Sequence, residues 1–124
     1  MKKNHFESKK VIVLVLLMTA LVGFSFSSYH HGWSSYDQKK ELKYTGEIVK
    51  YTYDNPHGVI RLKVDKQTWT VVLAPPSRME SRGLTEAMLK EGTKASVVGY
   101  PHLTVKDEMR AERIIIGEKT TELR

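Results

Sequence analysis

Apolar and polar positions alternate in three successive runs between Tyr44 and Ala74. Ile60, Leu62 and Val64 alternate with Arg61, Lys63 and Asp65, the period-two pattern of a half-buried strand over residues 59–64. Trp69, Val71 and Leu73 oppose Thr70 and Val72, which predicts a strand over 68–74. The run before them, 44–53, alternates through Tyr44, Gly46 and Ile48. It slips near Val49-Lys50 before Tyr51 and Tyr53, and a bulge there would let the strand curve. Asp54-Asn55-Pro56-His57-Gly58 turns the first corner, with Pro fixing φ and Gly expected at positive φ.

The later chain changes period. Pro75-Pro76 ends the third strand, because neither nitrogen can donate to a ladder. Residues 77–82 suit a helical turn broken by Gly83. Thr85 is placed to cap a helix over 86–90 that Gly92 ends, with Leu84, Met88 and Leu89 as its apolar stripe. Strands over 94–100 and 109–116 follow, and 120–123 adds a short edge strand. Three strands, a helix and two strands predict an all-β fold with one short helix: an OB-fold-like five-stranded barrel, β-β-β-α-β-β. A small antiparallel sandwich is the alternative architecture.

The segment before the strands has a different character. Lys2, Lys3, Lys9 and Lys10 precede an apolar run over 11–24, and Ser25-Phe26-Ser27 offers small residues where a signal peptidase reads. The run is shorter than the roughly 20 residues a membrane span needs. Residues 1–27 therefore read as a signal peptide, or else as an uncleaved membrane anchor. Residues 28–42 read as an extended arm and 43–124 as the barrel domain, with a periplasmic location expected. Cleavage after Ser27 would leave 97 residues and lower the net charge from +6 to about +3. Half the basic excess thus belongs to the signal, which weakens any argument for nucleic acid from charge alone. Acidic Glu47, Asp54 and Asp65 also interleave with the basic and aromatic side chains that single-stranded nucleic acid would need.

The chain has no cysteine. That excludes thiolate metal centres, c-type haem attachment and a disulfide framework. No nucleophile elbow, HExxH or paired carboxylates stand at a recognisable spacing, so no enzyme is expected. Histidine is the candidate chemistry. His30 and His31 adjoin Trp33 in the arm, which is expected to pack on the domain through that indole. His57 lies in the 1–2 loop and His102 in the 4–5 loop. Neutral imidazoles from His30, His31 and His57 would hold copper or zinc with a position left open. If Ser28 becomes the amino terminus, His30 is third and could complete a square-planar Cu²⁺ site. The opposing reading gives these histidines structural roles, with His57 bonding its own turn. Asn55, Trp33 and Arg82 are further candidate ligand or loop residues. Arg82 would serve either an anion near Thr85 or a neighbouring carbonyl.

Several short segments carry a resemblance. His30-His31-Gly32-Trp33, Tyr44-Thr45-Gly46, Asn55-Pro56-His57, Leu73-Ala74-Pro75-Pro76-Ser77-Arg78-Met79, Arg82-Gly83-Leu84, Val97-Val98-Gly99-Tyr100-Pro101 and Arg110-Ala111-Glu112-Arg113-Ile114 resemble a family of small exported bacterial proteins catalogued as a domain of unknown function. The resemblance covers about residues 29–124. It implies a periplasmic domain of unassigned activity and supplies no catalytic residue. The expected function is a non-catalytic periplasmic binding domain that takes a divalent metal through histidines. The alternatives are a metal-free adaptor for a periplasmic or membrane protein partner and, remotely, a nucleic-acid-binding OB domain.

Overall fold

The computed structural model describes residues 32–124, and the signal over 1–27, His30 and His31 lie outside the described residues. Within them the chain forms β1 (Leu42–Thr52), β2 (Val59–Val64), β3 (Gln67–Val72), α1 (Pro76–Ser81), β4 (Lys94–Pro101), β5 (Glu108–Ile116) and β6 (Lys119–Glu122). Short 3-10 turns add Trp33–Ser35 and Glu86–Leu89. The strands hydrogen-bond in the order β3-β2-β1-β4-β5-β6, and β3 also pairs in parallel with β5. That last pairing closes a five-stranded barrel, the expected OB-type arrangement, and β6 is laid on the outer part of β5.

The curvature has local causes. β1 bulges between Ile48 and Lys50, where the alternation slips. Gly46 lies against the Lys63 carbonyl, so that any Cβ would collide with backbone; only glycine lets β1 bend this closely onto β2. The barrel fills with Ile48, Ile60, Leu62, Val71, Val97, Met109 and Ile114, all fully buried. Each contributes about 2 kcal/mol by leaving water.

α1 begins with Pro76 at a first-turn position, where a missing N–H is tolerated. It ends in a Schellman arrangement: Leu84 N–H donates to Met79 O, Gly83 N–H donates to Glu80 O, and Gly83 takes φ +79°. Met79, Leu84 and Leu89 are buried against the barrel. The helix expected over 86–90 is only a 3-10 turn. Thr85 makes no side-chain cap, and Gly92 at φ +89° ends the segment too soon for α-helical bonds to accumulate. Gly58 is not at positive φ, as the turn chemistry suggested. A Cβ there would meet the terminal methyl of Met79, the movable end of that side chain. The Asn55–Pro56 peptide is cis.

Candidate functional site

The described residues gather their unusual side chains outside the barrel, on the β4–β5 ladder. β4 and β5 change register between Val98 and Gly99, which sets Tyr100 opposite Arg110. Gly99 permits this approach; a Cβ would strike the Arg110 carbonyl. The chain entering β1 lies across the same end of β4. Asp37 N–H donates to Pro101 O at 2.8 Å, Leu103 N–H donates to Ser35 O at 2.9 Å, and Tyr36 bridges to His102. These bonds hold the Trp33 indole over the ladder. It meets Tyr100 edge-on at 6.1 Å between centroids, and the Arg110 and Arg124 guanidinium carbons each stand 4.5 Å from its centre. Cation–π pairs of this kind contribute about 0.5–2 kcal/mol each.

Arg110 is only 7% exposed. Its Nη2 lies 3.3 Å from His57 Nε2, and its Nε has no hydrogen-bond partner among the described residues. A guanidinium can only donate, so His57 accepts at Nε2 and a neutral ring carries its proton on Nδ1. Burial, then the Arg110 and Arg78 guanidiniums, hold His57 below its usual range. Arg110 is itself depressed, first by burial and then by Arg78 and Arg124, with Tyr36 opposing. The acids nearby are engaged elsewhere. Glu108 accepts from the Tyr36 hydroxyl at 2.8 Å, and that phenol is pushed well up by burial and then by this bond. Glu112 accepts from Tyr100 and stands 3.8 Å from both Arg113 and Arg124. None of the ion pairs among the described residues includes Arg110.

Residues 19–109 match a family of unknown function, DUF6152. The chain belongs to this family. The matched span of DUF6152 includes Trp33, Tyr36 and His57 and stops one residue before Arg110. No curated protein matches the chain. A solved structure described as a complex of TiaS with an isoleucine tRNA and ATP is similar over 72% of this chain and 20% of its own, with 15% identity and a TM-score of 0.49. This DUF6152 chain thus spans about a fifth of that protein's length.

In this DUF6152 member the expected site residues separate. His57 sits with Arg110, whereas His102 serves its own loop: its Nδ1 accepts from Thr104 and Val105 N–H, and its ring meets Tyr36 edge-on at 5.1 Å. Asn55 is exposed in the β1–β2 loop. Arg82 donates to the carbonyls of Glu122 at 2.7 Å and Arg124 at 3.0 Å, tying α1 to the β6 end. Arg78 donates similarly to Leu123 O at 3.2 Å. Among the described residues no three His, Asp or Glu converge as a metal cluster. Sequence reasoning missed Arg110 as a site residue. Its signals were a basic residue between Met109 and Ala111 at the start of a strand and its place at the head of the Arg110–Ile114 segment that carries the family resemblance.

Proposed function

We propose that this DUF6152 chain is an exported, periplasmic, non-catalytic binding domain whose ligand face is the Trp33–His57–Arg110 cluster outside the barrel. Export rests on the sequence of residues 1–27. One observation carries the location: a guanidinium is taken out of water beneath an indole with no acidic partner among the described residues. Folding gains little from such a group, and local rules are broken in this way chiefly at functional positions. The non-catalytic reading is supported by the company His57 keeps. A general base or activated nucleophile works beside a carboxylate or hydroxyl partner, and here its side-chain partner is Arg110.

The location is tested on protein recovered from the periplasmic fraction, by hydrogen exchange with and without added Cu²⁺, Zn²⁺, sodium phosphate or sodium acetate. Protection by at least one of these should centre on Trp33, His57 and Arg110. Protection centred instead on Arg61 and Thr70, on the β2–β3 face where many OB barrels bind, rejects this site.

A second reading keeps copper or zinc, bound through His30, His31 and His57. It is favoured by the neutral state of His57, the form that ligates. Two guanidiniums and an engaged Nε2 weigh against it. On this reading His57→Ala weakens uptake of Cu²⁺ by roughly tenfold or more, and calorimetry showing unchanged uptake rules it out.

A further inference from the structure

Taking the Trp33–His57–Arg110 face as the place where ligand binds, the charge around Arg110 says what kind of ligand fits. We infer that Arg110, Arg78 and His57 form a site for a small oxyanion, a carboxylate or phosphate group, that enters beneath Trp33. The site contains an unsatisfied donor. Arg110 Nε is closed off from solvent and bonds nothing among the described residues, although a buried N–H normally has a partner. A guanidinium presents Nε–H and an Nη–H along one edge, spaced to meet two oxygens of a single carboxylate or phosphate. One prong of that fork is idle, and the other faces only a neutral imidazole.

A second guanidinium adds to the first. Arg78 lies close enough to depress both His57 and Arg110. Its one hydrogen bond among the described residues goes to the Leu123 carbonyl, which leaves most of its five N–H donors free for a ligand. Glu108 and Glu112 keep their charge but are turned to Tyr36 and Tyr100, and no ion pair among the described residues includes Arg110 or Arg78. The two guanidiniums therefore lack a carboxylate in direct contact, a place an anion fills and a metal cation does not. The Arg110 guanidinium carbon also stands 4.5 Å from the centre of the Trp33 indole, so ligand oxygens on its free donor lie close to that ring. Because Nε is closed off, the ligand group must be small and its entry must shift the side chains packed on Arg110, of which Trp33 is one.

That shift supplies the measurement. The chain has two tryptophans, Trp33 and Trp69, and Trp69→Phe leaves Trp33 as the sole indole fluorophore. The periplasmic protein carrying this change is titrated with sodium phosphate and, separately, sodium acetate, each against sodium chloride at matched ionic strength. A saturable change in Trp33 emission is expected with at least one oxyanion, and the pair of titrations tells phosphate from carboxylate. Arg110→Met should abolish the response while the protein still unfolds cooperatively, and Arg78→Gln should weaken it about tenfold. A response that is absent, matched by chloride, or retained in Arg110→Met overturns the oxyanion site. If oxyanions fail while Cu²⁺ or Zn²⁺ alone moves Trp33 emission in a His57-dependent way, the ligand face stands and only its ligand class is wrong.

Discussion

Holding a guanidinium away from water costs several kcal/mol unless charge or hydrogen bonds offset it. Arg110 has one bond to an imidazole and one aromatic face as its offset among the described residues. Arg110→Met keeps much of the stem's volume and removes the charge. Thermal melts should therefore show this variant as stable as the parent or more so, whereas a residue kept for structure would cost stability. Trp33→Ala should behave oppositely. It strips the contacts with Tyr100, Arg110 and Arg124 and should cost about 1–3 kcal/mol in urea denaturation. His57 gives the pH dependence its sign. Its folded pKa is lowered from 6.5, so the unfolded chain binds the proton more readily. The stability it contributes is complete above the unfolded value and is lost as pH falls from there towards the depressed folded one. Melts between pH 7.5 and 5 should fall more steeply for the parent than for His57→Gln.

β-Strand register decides where these side chains meet, and Gly99 stands at the register change that sets it. Gly99→Ala forces a methyl into the Arg110 carbonyl. It should cost about 1–3 kcal/mol and disturb Trp33 emission as well, because the same bulge sets Tyr100 against Arg110. The strands are legible in the sequence for a simple reason. Ile60, Leu62 and Val64 alternate cleanly because β2 has one wet face, and the break at Val49 marks the bulge that follows Ile48. The stretch over 86–90 imitates an α-helix because a threonine ahead of an acidic residue looks like a cap, whereas its side chain makes no capping bond here. The site is less legible. Histidines are conspicuous in a sequence and arginines are not. Only contacts between residues far apart in the chain bring Arg110 under Trp33, while His102 closes its own loop. No helix among the described residues is long and apolar enough to cross a membrane.

The barrel as a whole leans on β5. This strand bonds β4 along its length, β3 through Glu108–Arg110 and β6 through Arg113–Ile116. Leu123, just past β6, is almost wholly buried and packs into the core, so Leu123→Ala should cost about 2–4 kcal/mol in denaturant even though it lies near the end of the chain. The shortest seam of the cylinder is the parallel one, three residue pairs ending at Val72 and Arg110. The residue that clasps the barrel shut with its backbone is thus the one whose side chain lies beneath Trp33. A ligand held by that side chain should also tighten the clasp. Peptide N–H groups of Thr70 and Val72, some way along the chain from any contact with a guest, should then trade their hydrogens for deuterium more slowly.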